Sequence, residues 1–262
     1  MSPKIARLED RAVVAVTGPD ARPFLHGLLT QDVMTLAAGG VRFGAFLSPP
    51  GRLMWDLFLW GSEDGVRLDV AADRRDALVT KLTMHRLRAQ VTIAAEATPV
   101  FVCWGGTAEG FAPDPRLAAL GGRRLGEAEA NATADDWQAH RLALGVADPD
   151  RDCGMDRTYP IEANFDLLNG IDFQKGCFVG QETTSRMKRR GAIKTRMAPV
   201  AFEGPAPAEG AEVLTAADLR AGQVLTGREG RAMALLRLDR IDGPLTVDGR
   251  PVRVERPGWM ES

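Results

Sequence analysis

With 262 residues, 45% of them apolar and 26% charged, the chain has the composition of a soluble globular protein, which excludes disordered, collagen-like and repeat-only architectures. It is long enough to bury a core without disulfide or metal support. Basic residues number 33 and acidic residues 35, a net charge of -2, so no whole-molecule field draws in nucleic acid or anionic membrane, and polyanion binding would need a local patch.

The opening MSPKIARLEDR carries charges where a secretory leader carries its apolar stretch, and a cytoplasmic protein is expected. Residues 12–16 form an apolar strand ending at Thr17-Gly18-Pro19. Asp20 is placed to cap a helix to about residue 30, with Phe24, Leu25, Leu28 and Leu29 on one face. Residues 41–47 and 52–60 flank Ser48-Pro49-Pro50-Gly51, a strand-breaking turn, so this pair reads as a β-hairpin. Apolar runs such as 57–60 are far short of the ~20 residues of a membrane span, and no membrane association is expected. A strand at 66–71, an amphipathic helix opened by Asp73 and strands at 90–95 and 100–104 follow. That order predicts an α+β layer with mainly antiparallel pairing.

The Gly-, Pro- and Ala-rich stretch 105–131 gives weak signals and is expected to connect subdomains. Thr133 caps a helix over 134–144, closed by Gly145. Short strands at 198–202, 211–214, 222–225, 232–238 and 251–254, punctuated by Gly and Pro, predict a small β-barrel. The expected division is an α+β region over 1–195, in two subdomains, and a barrel over 196–262.

Cys103, Cys153 and Cys177 match neither a disulfide framework nor a zinc spacing, and His26, His85 and His140 are equally dispersed, so no metal site is expected. Dinucleotide, P-loop and α/β-hydrolase motifs are missing from the sequence. The informative stretch is KGCFVGQE, residues 175–182. Its glycines let the backbone approach a ligand or partner closely. Lys175, with Arg186, Lys188, Arg189 and Arg190 shortly after, would favour the Cys177 thiolate; the other reading of Cys177 is a small buried apolar residue in a tight loop. Cys103 lies in an apolar strand and reads as core, whereas Cys153 in its polar loop is undecided. The basic run from Arg186 to Arg196 suits a polyglutamate tail, RNA phosphates or an acidic protein face, or else is a solvated edge. Few aromatics interleave with it, so direct nucleic-acid binding is not expected.

All eight residues of 175–182 match the K-G-C-[FY]-x-G-Q-E signature of the YgfZ family, which includes mitochondrial iron–sulfur assembly factors of the same lineage and is similar to the glycine-cleavage T-protein, a folate-dependent aminomethyltransferase. The resemblance continues through Arg186, Lys188 and Arg190-Gly191, upstream through Asn164 and Gly170, and in the N-terminal block through Gly18-Pro19-Asp20-Ala21, 29–33 and 48–52.

This resemblance implies an aminomethyltransferase/YgfZ-like folate-binding fold with a central hole, α+β subdomains and a C-terminal barrel. It implies tetrahydrofolate or a derivative as cofactor, with iron–sulfur assembly proteins and client enzymes as partners. The function expected is assembly or repair of iron–sulfur clusters, including those of radical enzymes that thiolate tRNA. Cys177, within the loop Lys175, Gly176, Phe178, Gly180, Gln181 and Glu182, is the residue most associated with that role; its thiolate is expected to serve as a transient ligand to sulfur or to a cluster shared with a partner, or as a redox-sensitive contact. Trp137 matches a tryptophan lining the folate site, with a core role as its other reading, and Arg11 stands where the partner tryptophan is expected. Asn164 and Asp56 complete the expected cofactor contacts, and Arg186, Lys188 and Arg190 the partner or anion contact. Aminomethyltransferases carry an acidic pair where this chain has Trp55-Asp56, and the loss of one carboxylate is expected to remove a polar partner for folate. Tetrahydrofolate-dependent aminomethyl or methyl transfer is the alternative function.

Overall fold

The computed structural model describes residues 2–191 and 193–261, the side chain of Arg190 excepted. Two antiparallel sheets are drawn from β1 (Lys4–Arg7), β2 (Arg11–Thr17), β3 (Val41–Leu47), β4 (Leu53–Gly61), β5 (Gly65–Ala71), β6 (Thr92–Glu96), β7 (Val100–Trp104), β8 (Ala112–Pro113) and β9 (Gly122–Leu125). Helices α1 (Ala21–Leu28) and α2 (Arg75–Arg86) interrupt these strands; α3 (Ala134–Ala143), α4 (Pro149–Asp152) and α5 (Gln181–Arg190) follow them. The larger sheet has the order β3-β4-β5-β2-β6 and the smaller β1-β7-β9-β8. A closed barrel is built from β10 (Thr195–Ala201), β11 (Glu212–Thr215), β12 (Arg220–Arg228), β13 (Arg231–Arg237), β14 (Leu245–Val247) and β15 (Arg250–Val254), with β15 pairing back onto β10.

The larger sheet is covered on both faces, which is why β4 is apolar almost throughout. Trp55, Leu57 and Leu59 point to α1 and α2, where they meet Leu25, Leu29, Leu78 and Leu82. Phe58 points the other way, into a core with Phe43, Phe165 and Phe178 that also takes Met197, Leu225 and Met233 from the barrel. Asp56 shares the Phe58 face by period-two alternation and is 4% exposed.

The predicted hairpin forms, with β3 and β4 in register from Val41↔Trp60 to Phe46↔Trp55 and a one-residue register shift before Leu47↔Leu53. Thr133 makes the expected N-cap as a full capping box: its Oγ1 accepts from Asp136 N, while Asp136 Oδ2 accepts from Thr133 N. Three expectations change. Asp20 does not cap α1; its carboxylate accepts from Gln90 N at 2.7 Å, stitching the α1 entry to the loop before β6. The stretch 105–131 is more than a connection, since it contributes β8 and β9 to the smaller sheet. The barrel also has a sixth strand, β14, three residues long and too short to leave a period in the sequence.

Because Met233 is fully buried between the barrel and the larger sheet, Met233→Ala is expected to cost roughly 2–4 kcal/mol. Thermal unfolding should remain one transition at a lower Tm; separate melting of the barrel would contradict a shared core.

Candidate functional site

Of the three cysteines, Cys177 alone is exposed. Its loop is held on both sides. Before it, Lys175 N donates to Asp172 Oδ1 at 3.1 Å, and Lys175 Nζ donates to the carbonyls of His26 and Leu29 at the end of α1. There a cation satisfies carbonyls that the helix leaves unpaired. Burial pulls Lys175 down to about 8, with Asp32, Asp172 and Cys177 opposing. After it, Phe178 is buried in the core beneath the larger sheet. Gly180 then enters α5 with φ +80°, and a Cβ there would lie 2.7 Å from Ser48 O and 2.8 Å from Gly51 Cα. A Cβ on Gly51, at φ +88°, would likewise lie 2.9 Å from Gly180 O. The Pro-Pro-Gly turn and the cysteine loop therefore meet backbone to backbone, a distance only glycine allows.

Gln181 and Glu182 start α5, Glu182 exposed in its first turn, where a carboxylate suits the helix dipole. The basic run divides on folding. Arg196 is engaged by Asp166 through two bonds of 2.9 Å and by Ile161 O and Asn164 Oδ1. Lys188 reaches the same Asp166 at 3.4 Å and lies over the Phe173 ring. Arg186, Arg189 and Lys194 are exposed; the Arg190 side chain lies outside the described residues.

A second constellation lies where the two sheets meet α3 and α4. Asp69, on β5, is fully buried and accepts from Arg11 Nε at 2.7 Å and Arg123 Nη2 at 2.6 Å. Arg11 also donates to Asp56 at 3.1 Å and approaches Asp150 at 3.7 Å. Arg116 clasps Asp114 through two bonds, and Arg141 faces Asp148 and Asp152. The Phe58 ring is faced by Arg123 at 3.6 Å and Arg116 at 4.8 Å, a cation–π arrangement. Burial alone would pull Arg11 down, but Asp56, Asp69 and Asp150 outweigh it and raise its pKa. Burial would raise Asp69; Arg11 and Arg123 hold it below the ordinary carboxylate range. Asp150 goes the other way, raised by burial and by Asp56 to about 7.

Of these groups Arg11, Asp56, Phe58, Arg116, Arg123, Arg141, Asp148 and Asp150 line a cavity of about 30 Å³. A cavity of roughly 150 Å³ is what a single benzene ring occupies, so a bicyclic pterin does not fit beside Arg11. Trp137 lines this cavity, but its ring is packed against Trp104 and His140 in the core of the smaller sheet. Arg11 and Asp56 are present as well, tied to each other. Asn164 is elsewhere: fully buried at φ +62°, it donates to Met197 O at 2.8 Å and pins the 161–169 turns to β10. Trp55 points away from the cavity into the helix-side core and donates to Arg74 O. Its replacement of an acid therefore takes nothing from the cavity, which corrects the expectation drawn from the lost carboxylate.

Sequence reasoning missed Asp69, Arg116, Arg123, Arg141 and Asp150. A faint signal existed for one of them: Asp69 falls on the same strand face as Arg67, opposite Val66, Leu68 and Val70, next to a strand whose two faces are both apolar. Arg123 lies in the weakly patterned stretch and carried none.

Residues 194–262 match the family described as CAF17, C-terminal beta-barrel domain. Over 92% of its length the chain is 32% identical to the mitochondrial iron–sulfur cluster assembly factor IBA57 of Homo sapiens, covering 79% of that protein. The chain belongs to the IBA57 family. The Mus musculus IBA57 is 31% identical with the same coverages, and the IBA57 homologue of Pyricularia oryzae is 29% identical over 96% of this chain and 76% of its own. The YgfZ resemblance is thereby narrowed to its IBA57 branch. Among solved structures, the glycine cleavage system aminomethyltransferase T from Bartonella henselae superposes with a TM-score of 0.78 over 99% of this chain and 86% of its own, at 14% identity. The expected aminomethyltransferase-like α+β fold with a C-terminal barrel is therefore the fold of this IBA57-family chain. Its named relatives are mitochondrial, which overturns the cytoplasmic expectation. No helix among the described residues is long and apolar enough to cross a membrane.

Two outcomes follow. Gly180→Ala is expected to cost about 2 kcal/mol or more, from strain and from contact with Ser48 and Gly51, and to speed amide exchange selectively across 175–183. Asp150 has a folded value of about 7 against an ordinary 3.8, so its contribution to stability is full below the ordinary value and is lost as pH rises toward 7. Asp150→Asn should therefore gain on the parent with rising pH, by up to a few kcal/mol at pH 8, when melts are compared from pH 4 to 8; a constant difference would contradict the assignment.

Proposed function

We propose that the chain serves the assembly or repair of iron–sulfur clusters in client enzymes by presenting Cys177 as one thiolate to a cluster that a partner protein co-ligates. The observation that carries this reading is the placement of the thiol: exposed, on a loop fixed through Lys175, Phe178 and Gly180, while Cys103 and Cys153 are buried. Thiolate is the soft ligand that iron–sulfur clusters take, and they ordinarily take four. Among the described residues no three His, Cys, Asp or Glu side chains gather in a metal-holding group, so a cluster at Cys177 draws its other ligands from the partner.

The surroundings support a docking role. Arg186, Arg189 and Lys194 are exposed on and just beyond α5, a cationic rim that would steer a partner with an acidic face. Iron–sulfur assembly proteins are the partners this reading takes. The tRNA-thiolating radical enzymes implied by the resemblance belong to it as clients, without nucleic acid bound by this chain. Folate supplies no step, because the residues at the central cavity do not fit it. Aminomethyl transfer has less support: Asp56 is committed to Arg11, and the likeness to aminomethyltransferase T is one of fold.

Expression of Cys177→Ala in cells lacking the parent protein should leave iron–sulfur enzyme activities at the level of cells without it, whereas Cys103→Ser, if folded, should restore them. Full restoration by Cys177→Ala would end this reading.

A further inference from the structure

We propose that Arg11 closes the central cavity of this chain to folate, so that its work on clusters is not done through a folate held there. The fold is that of a folate enzyme's relative, and the cavity lies where its sheets and helices converge, but the chain's own cations hold the ground a pterin would need. Three observations combine. The space is about 30 Å³, a small fraction of the roughly 300–1,000 Å³ of ordinary ligand pockets. The aromatic face available for stacking, Phe58, is already covered by the Arg123 guanidinium at 3.6 Å, with Arg116 and Arg11 at 4.8 and 5.7 Å. The carboxylates that line the cavity are paired as well: Asp56 accepts from Arg11, Asp148 accepts from Gln138 and faces Arg141, and Asp150 lies between Arg11 and Arg74.

Side-chain rotation does not open this space cheaply. Arg11 is buried beside three carboxylates, and Arg11 Nη2 also donates to the Asp69 carbonyl at 2.9 Å. Moving its guanidinium aside would leave Asp69 with Arg123 as its remaining cation, and breaking a buried pair in that way weakens binding by roughly a hundredfold or more. Neutral hydrogen bonds from a pterin do not replace a charge-paired guanidinium. The network thus excludes the ligand by occupation, whatever the fold's ancestry.

The test uses the full chain, reduced and anaerobic. Tetrahydrofolate is titrated by calorimetry, and amide exchange is followed with and without it. The expected result is no saturable heat and unchanged exchange in β2, β4 and α3. Saturable binding with slowed exchange confined to other segments would equally leave the central cavity closed and uphold the proposal. One-to-one binding with slowed exchange at residues 11–14, 56–58 and 137–141 would overturn it. The outcome is separable from the Cys177 reading, because neither measurement depends on the thiol.

Discussion

Asp69 is a charge without solvent, and the way it is satisfied fixes how the α+β part of the chain assembles. Its two carboxylate oxygens are taken by Arg11 of β2 and Arg123 of β9, so one residue joins the larger sheet to the smaller. Arg11 extends the tie to Asp56 on β4 and Asp150 on α4. Such pairs add little net stability, since desolvation offsets most of the attraction, but a mispaired arrangement strands a buried charge at a cost of several kcal/mol. The network therefore acts mainly by penalising every other packing of these elements. It also fills the centre of the fold, and in this way one constraint decides both the architecture and what the centre can hold.

The cysteine loop obeys a different kind of constraint, one of backbone contact. Gly51 and Gly180 meet closer than any Cβ permits, Lys175 is anchored on the α1 carbonyls, and Phe178 sits in the core that the barrel completes. A loop so fixed presents its thiol in one place, which is what sharing a ligand with another protein requires. The apparent basic run beside it is only partly a surface: Arg196 and Lys188 converge on the buried Asp166, leaving fewer cations for a partner than the sequence suggests.

Much of the fold was legible. The hairpin around Ser48-Pro49-Pro50-Gly51, the capping box opened by Thr133 and the barrel strands carry local signals, because turn chemistry and period-two alternation act over a few residues. Strands such as β1, β9 and β14 carried none: they are short, and β9 is half arginine, which reads as loop until the carboxylates facing it are known. Trp55 and Asp56 show the same limit at one residue's scale. Adjacent in sequence, they lie on opposite faces of a sheet buried on both sides, so one supports a helix and the other faces the cavity.

By itself the sequence determined the family signature, the identity of Cys177 as the thiol in a glycine-flanked loop, and the succession of an α+β region and a barrel, all of which are local in the chain. Tertiary structure decided that Cys177 is exposed while the other two cysteines are not, that Asn164 supports β10 rather than the cavity, and that the centre is closed by charge. The last two depend on residues 33 to 58 positions apart, as Asn164 is from Met197 and Arg11 from Asp56 and Asp69, and no short window of sequence contains both members of such a pair.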